Sequence, residues 1–474
     1  MKTWLAITLL AFLGTSVAAG DKGTLSMVQY LDQVKQQNPQ ARAALESMYS
    51  FQLRDSEAES PILTNLYAQW NRRDDKKPTA VPLFMGTETL TEGWRAGLQK
   101  QTEYGLGMDL YFNSQRTIIN GAGPQFIPVN NFNESSANLE LSQSLWRNAF
   151  GEGTRAQIEA DRATNDANML QSKFDLKNIM LNAENAYLAV VSLNQIVKLQ
   201  TENVERAKRL RDYMQNRAKL KLVDDTDFMQ TEASYLSRGL ELQSSINARA
   251  SMIRAFNTLR GVDNDEIPNL DTWPDQAMMK ETEKAPTGRM TREDFQMMRA
   301  QAKAAQAKAK FANSQIQPKL DLNAGISTNG RDGVTPNAIY QAETDHYPTW
   351  FVGASFSIPI DFRLISDVRH GYRKAAEAAE DMQAQANFSE TRAWDDLVNQ
   401  KKEAQVQYEQ AVRVEELQTQ LTKREQVRLH NGRTTTFEAL QLEQNLALAQ
   451  VQRVQNQLNL LKVHNAIQMF EAQK

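Results

Sequence analysis

The chain has no cysteine and only 4 histidines in 474 residues. Without thiols there is no disulfide framework, no thiolate nucleophile and no Cys-bearing zinc site. His346, His370, His430 and His464 are scattered, with no metal-ligand spacing between them. A phosphate-cradling Gly-rich loop ending in Lys-Ser/Thr is missing, as is a Gly-x-Ser-x-Gly elbow. The residues therefore point away from an enzyme and call for no cofactor or metal. Neither sign of charge dominates: the formal net charge is -3 with 23% charged residues, which gives no reason to expect a nucleic-acid partner.

Long hydrophobic runs are also lacking. After the N-terminus no 18 consecutive residues are apolar, a length below which a helix does not cross a bilayer. Contact with a membrane interior would have to be made by strands, and spanning strands must close into a barrel. The N-terminus reads as a secretory signal, residues 1–19. Lys2 gives the positive start, Trp4 to Leu13 the apolar segment broken only by Thr8, and Val17-Ala18-Ala19 the cleavage site. No Cys follows it, so the new N-terminus has no thioether lipid.

Proline and glycine are absent from Thr154 to Lys219. At ~1.5 Å per residue that stretch makes a helix of roughly 100 Å, far beyond the usual globular range. Val190, Leu193, Val197, Val204, Ala207 and Met214 follow 3- and 4-residue steps and predict a packing seam. The Lys/Arg run Arg206, Lys208, Arg209 and Arg211 reads as a solvated or tunnel-lining face. A break follows at Lys221 to Asp227, where Asp and Thr suit the N-terminus of a returning helix, Phe228 to Leu259, which Gly261 stops.

Ahead of this rod the period changes to two. A helical segment from Leu25, kinked at Asn38-Pro39, ends at Pro61. Leu66, Ala68 and Trp70 then alternate with Asn65, Tyr67, Gln69 and Asn71, before a charged loop from Asn71 to Pro82. Trp94, Ala96 and Leu98, then Leu106, Met108, Leu110 and Phe112, form the apolar sides of a strand pair. Ala137, Leu139 and Leu141 make another strand leading to Trp146 and the Gly151-Glu152-Gly153 turn. Such segments have the length of tilted membrane strands. Trp70, Trp94, Tyr104, Tyr347 and Trp350 bound them, as an interfacial aromatic belt would.

The plan then recurs. A helix from Thr291 runs into Pro318, strands follow at Leu320–Ile326 and Trp350–Ile358 around a Gly/Asn/Asp-rich loop, and a second long helix spans Ser366 to Leu429. It breaks at His430-Asn431-Gly432-Arg433, and a last helix runs from Thr434 to Ala472 with Val451, Val454, Leu458 and Leu461 as its seam. The expected organisation is a first repeat over residues 20–261, a connector over 262–290 and a second repeat over 291–474. The fold class is mixed and mainly α: tandem long antiparallel coiled-coil hairpins, continuous with a transmembrane antiparallel β-barrel. About four core strands per chain cannot close a barrel, for which about eight is the usual minimum, so several chains must share one. The first repeat is longer by the Trp94–Phe112 strand pair.

Several short motifs now converge on a known family. Asn38-Pro39, Pro61 and Pro318 opening the strands, Leu141-Ser142-Gln143-Ser144-Leu145-Trp146, Phe356-Ser357-Ile358-Pro359-Ile360 and Asn431-Gly432-Arg433-Thr434-Thr435-Thr436 stand in duplicated order and spacing. The chain resembles the TolC-type outer membrane efflux proteins over nearly all of its mature length. The resemblance implies a homotrimer in the outer membrane, a 12-stranded barrel in contact with lipid, a periplasmic α-helical tunnel, and passive export. It also implies a helical tip that meets a periplasmic adaptor (membrane fusion) protein, with an inner-membrane transporter supplying energy.

The same resemblance assigns roles at the helix breaks. Asp227 stands where the family's first tip aspartate stands, and Glu438 replaces the second repeat's gate aspartate. Gln441 holds the next gate carboxylate position, Lys221 the place of the family's glycine in the first break, and Thr434 the place of a gate-locking Arg. The implied adaptor contacts are Leu222, Val223, Asp224, Thr226, Gly432, Arg433 and Thr434. Simpler readings stand beside these. Asp224, Asp225 and Asp227 also suit helix capping, and Glu438 suits a dipole-favoured first turn. His430 is a loop residue. A periplasmic coiled-coil stalk is the competing whole-chain reading, against which the duplication and the lipid-length strands argue.

Overall fold

The computed structural model describes residues 24–266, 268–270, 279, 282, 290–344 and 347–470. The expected signal segment, most of the connector and His346 lie outside them. The chain divides into two compact units. One, the strand unit, comprises residues 43–177 and 289–395; the other, the tip unit, comprises 1–42, 178–288 and 396–474.

The strand unit is built on one antiparallel sheet. Its strands are β1 (Thr64–Asp75), β2 (Glu88–Gln101), β3 (Leu106–Asn120), β4 (Asn131–Ser144), β5 (Lys319–Asp332) and β6 (Pro348–Ser357). They are hydrogen-bonded in chain order from β1 to β6. The hairpin β2–β3 therefore stands in line between β1 and β4. The four expected core strands and the extra pair together make a six-stranded sheet. The strands outrun the apolar alternation that announced them. β1 continues through Asn71–Asp75, expected as loop, because its charged end is paired in full with Thr89–Gly93 of β2. The Gly/Asn/Asp-rich stretch after Ser327 is likewise strand to Asp332, followed by a short helix over Thr335–Glu343 that packs on β4 and β5.

Both expected strand-opening prolines sit at the sheet's entry. Pro318 directly precedes β5, while Pro61 lies inside a 3₁₀ turn over Arg54–Ile62 and precedes β1 by a few residues. The helical segment ends at Ile62, one residue past Pro61, as a 3₁₀ turn. At the sheet's exit, Asn148 adopts φ 56° and Gly151 φ 78°, turning the chain into a long helix, Glu152–Lys219. The Asn148 Oδ1 accepts the Thr154 N–H at 2.8 Å and so caps its first turn.

Taken in chain order, the principal helices are α1 (Met27–Gln37), α2 (Pro39–Leu53), α3 (Pro82–Met85), α4 (Glu152–Lys219), α5 (Asp225–Leu259), α6 (Glu293–Gln315), α7 (Thr335–Glu343), α8 (Phe362–His430) and α9 (Thr436–Gln468). In the strand unit α6 lies antiparallel to the first part of α4. Lys303 Nζ meets Glu159 at 3.5 Å, and Lys177 and Lys173 meet Glu293 at 2.6 and 3.3 Å. Ala156, Ala160, Ala163 and Ala167 of α4 are buried at 4- and 3-residue steps, so small side chains let helices approach closely there.

In the tip unit Tyr30, Val34, Tyr187, Val190, Ile253 and Phe256 form the largest apolar cluster. Tyr30 stacks on Phe256 at 4.1 Å, and burial raises its phenol pKa well above the usual tyrosine range, with Arg260 opposing. The Asn38-Pro39 motif has a double role here. Asn38 Oδ1 accepts the Gln40 and Ala41 N–H groups and caps α2, while its Nδ2 donates to the Leu259 carbonyl at the end of α5. Of the expected seam of α4, Val190, Leu193 and Met214 pack in apolar clusters, Met214 against Leu429 and Ala439, whereas Ile196 and Leu199, rather than Val197 and Val204, are the buried residues that pack with Val451 and Val454 of α9.

Candidate functional site

The expected gate and adaptor-contact residues all lie in the tip unit. The chain leaves α4 through Lys221, which adopts φ 56°, and leaves α8 through Gly432 at φ 67°. The bonds are the same at both exits. Lys221 N–H donates to Ala218 O and Leu222 N–H to Arg217 O, each at 2.9 Å; Gly432 N–H donates to Leu429 O and Arg433 N–H to Arg428 O at 3.0 and 2.9 Å. These are left-handed helix stops of the kind glycine favours. Lys221 holds the glycine's conformation without being glycine, at a steric cost of about 1–2 kcal/mol.

The returning helices differ at their starts. Thr435 caps α9, its hydroxyl accepting the Glu438 N–H at 3.2 Å. Asp224 occupies the corresponding place before α5 and makes no side-chain cap bond; only its carbonyl takes the Asp227 N–H, at 3.1 Å. The capping expected of this Asp is thus not made, and Asp225 and Asp227 instead place charge in the first turn of α5. Glu438 is exposed and its carboxylate accepts a hydrogen bond from the Thr434 hydroxyl.

Both breaks join one cluster. Met214 of α4, Leu429 of α8 and Ala439 of α9 are buried together, with Leu210, Tyr213 and Val223 against them. Tyr213 faces the His430 ring at 5.7 Å, and His430 is the exposed last residue of α8 rather than a loop residue. Of the expected contact residues, Leu222, Asp224, Thr226, Gly432 and Arg433 are exposed, while Val223 and Thr434 are half-buried.

Two members of the basic run also make cross-helix contacts. Arg206 Nε lies 3.1 Å from Glu443 of α9, and Gln426 of α8 also bonds Glu443, so one carboxylate clasps three helices. Arg211 reaches Glu232 of α5 at 3.7 Å and lies over the Tyr235 ring. Lys208 and Arg209 are exposed as expected. No local pattern marks Arg206 or Glu443, because their partners come from distant parts of the chain.

The sheet carries a second candidate surface. One face runs Leu66, Leu98, Leu110, Leu139, Ile326 and Trp350 straight across all strands in register. The other runs Tyr67, Gly97, Tyr111, Asn138, Ser327 and Thr349. The apolar face is largely exposed in the single chain; Leu66 is 80% and Trp350 75% accessible. Trp70, Trp94, Tyr104 and Tyr347 are exposed too, and Trp70 and Trp94 face each other across β1 and β2. An exposed apolar face of this extent marks contact with lipid or protein.

Residues 289–469 match the family of outer membrane efflux proteins. The Outer membrane protein TolC of Salmonella enteritidis is 24% identical over 376 residues, covering 76% of this chain and 73% of its own length. The chain resembles the TolC-type outer membrane efflux proteins. Its location is the outer membrane. The fold agrees: the outer membrane protein VceC of Vibrio cholerae superposes with a TM-score of 0.64 at 14% identity, covering 93% of this chain and 95% of that one. The CmeC outer membrane channel of Campylobacter jejuni does so with a TM-score of 0.61 at 14% identity, covering 94% and 87%. The family is one of channel proteins, not enzymes. Among the described residues no helix is long and apolar enough to cross a membrane.

Proposed function

We propose that three copies of this chain form an outer membrane channel-tunnel that passively conducts substrates outward, gated where the long helices turn back. The observation that carries the reading is the pair of open sheet edges. Among the described residues β1 pairs only with β2 and β6 only with β5, and every residue of β6 is exposed. Open edges are not tolerated in hydrocarbon, where each unpaired backbone group costs several kcal/mol. Six strands fall short of the usual minimum of about eight for a closed barrel. A second and third copy remove both edges at once, β6 of one meeting β1 of the next. The duplicated plan, residues 20–261 and 291–474 about the connector 262–290, gives each chain two helical hairpins for the tunnel wall.

In this assembly the carboxylates of Asp227 and Glu438 recur three times about the axis and narrow the tunnel entrance. Such rings favour cations. The exposed Leu222, Asp224, Thr226, Gly432 and Arg433, with Val223 and Thr434 behind them, receive a periplasmic adaptor that links to an inner-membrane transporter. The channel itself has no energy source. The test is conductance of the detergent-extracted protein in planar bilayers. A small, cation-favouring conductance is expected, rising several-fold in Glu438→Ala. Unchanged conductance in that variant removes Glu438 from the gate, and release of the native protein by salt or osmotic shock alone overturns the channel.

A further inference from the structure

The hairpin β2–β3 is neither an appendage nor a cap. It is inserted in the plane of the sheet, and the whole of β1 pairs with β2 while β4 pairs with β3. Its strands, at 14 and 15 residues, are as long as β4 and β5, at 14 residues each. Adding two strands keeps the antiparallel alternation, so the chain still arrives at α4 on the side from which it entered β1. The parity of the faces is kept as well. Ala68, Ala96, Phe112 and Ala137 continue the apolar face, and Gln69, Arg95, Asn113 and Ser136 the polar one. A one-residue slip at either junction would have exchanged the faces.

Side chains on the polar face stitch the hairpin to both neighbours. Arg95 of β2 donates to the Tyr67 hydroxyl of β1 and to Asp109 of β3, at 3.0 Å each. The Tyr67 hydroxyl donates to Asp109 at 2.8 Å, and the Tyr111 hydroxyl of β3 donates to Glu140 of β4 at 2.7 Å. The Arg95 guanidinium lies 3.4 Å from the centre of the Tyr111 ring. Gly97 makes this possible: a Cβ there would stand 2.5 Å from the Tyr111 Cβ. Charge-assisted bonds and a cation–π contact thus run from β1 to β4 through the hairpin.

We propose that the hairpin widens the membrane barrel, so that three chains close eighteen strands rather than the family's twelve, with six from each. The proposal rests on the trimeric channel reading and deepens it. With strands ~4.8 Å apart and tilted ~40°, eighteen strands have a backbone radius of about 18 Å, against about 12 Å for twelve. Barrels of this size hold an open aqueous channel. Size selection then falls to the helical part, and Arg95, Asp109 and Tyr111 become lumen residues with water on one side.

Electron cryomicroscopy of the extracted full-length protein reads the strand number directly, and eighteen is expected. The native lack of cysteine permits a second reading in outer membranes with a bifunctional thiol reagent. The pairs Leu66→Cys with Leu98→Cys, and Leu110→Cys with Leu139→Cys, should crosslink within one chain, and Leu66→Cys with Leu139→Cys should not. Deleting residues 82–126 should narrow the barrel by about one third. A trimer with twelve strands, or a link between positions 66 and 139, overturns the widened barrel and leaves the trimeric channel intact. Finding no trimer overturns the channel reading itself.

Discussion

Glu293, in the first turn of α6, is 5% exposed and holds Lys177 and Lys173 of α4. Burial alone would raise its carboxyl pKa; the Lys177 and Lys173 contacts and its own backbone outweigh burial and hold it below the usual value. A depressed folded-state pKa gives stability that is full above the ordinary carboxylate value, about 4.3, and lost as pH falls through the folded value. Glu293→Gln should therefore lower Tm at neutral pH, by an amount equivalent to about 1–3 kcal/mol. The two proteins should converge as pH falls through the lowered folded-state value. Thermal unfolding at pH 7 and pH 3 checks this, and an unchanged gap at both values would sink the linkage. Neither Glu293 nor Arg206 was legible as a cross-helix partner from the sequence. Each is a charged residue on a helix, and only the neighbouring helix makes it a structural one.

At the scale of elements, the helix breaks show how much local chemistry can say. Gly432 in the second break is a recognisable stop, and Lys221 stands at the same interval before Asp227 as Gly432 does before Glu438. The shared left-handed backbone follows. Lys221→Gly should stabilise the chain by about 0.5–1 kcal/mol by relieving that conformation, and Gly432→Ala should cost about 1 kcal/mol. Thermal unfolding in detergent reads both, and equal, same-signed shifts would contradict the assignment. Asp224 carries the opposite lesson. Its residue type suits a cap, its position is the cap, and yet its side chain makes no cap bond. The strand ends were illegible for a related reason. β1 enters its charged segment Asn71–Asp75 with its pairing intact, because β2 supplies backbone partners that hydropathy does not report.

For the whole molecule, the two faces of the sheet make opposite demands. Val352 lies in the apolar face of β6, opposite Ala324, whereas Gly353 lies in the polar face, and a Cβ on Gly353 would meet nothing within 4 Å. In a lipid-facing barrel Val352→Arg should cost about 2–4 kcal/mol if the residue lies at bilayer mid-depth. It should also reduce the yield of membrane-inserted trimer, while Gly353→Arg should be tolerated. Equal yields of both variants, measured by outer membrane fractionation and semi-denaturing gels, would mean that the apolar face does not meet lipid.

The sequence by itself determined the long helices, through the absence of proline and the rarity of glycine within them. It also determined the faces of the strands, through alternation, and the duplication, through the recurrence of both. These are local or periodic properties, and each residue carries them wherever the chain goes. The tertiary structure alone decided where the Trp94–Phe112 hairpin stands. Strand order depends on which distant backbone completes a ladder, and a hairpin reads the same in sequence whether it is inserted or appended. Full-length pairing of β2 with β1 and of β3 with β4, locked by Arg95 between Tyr67, Asp109 and Tyr111, makes that choice.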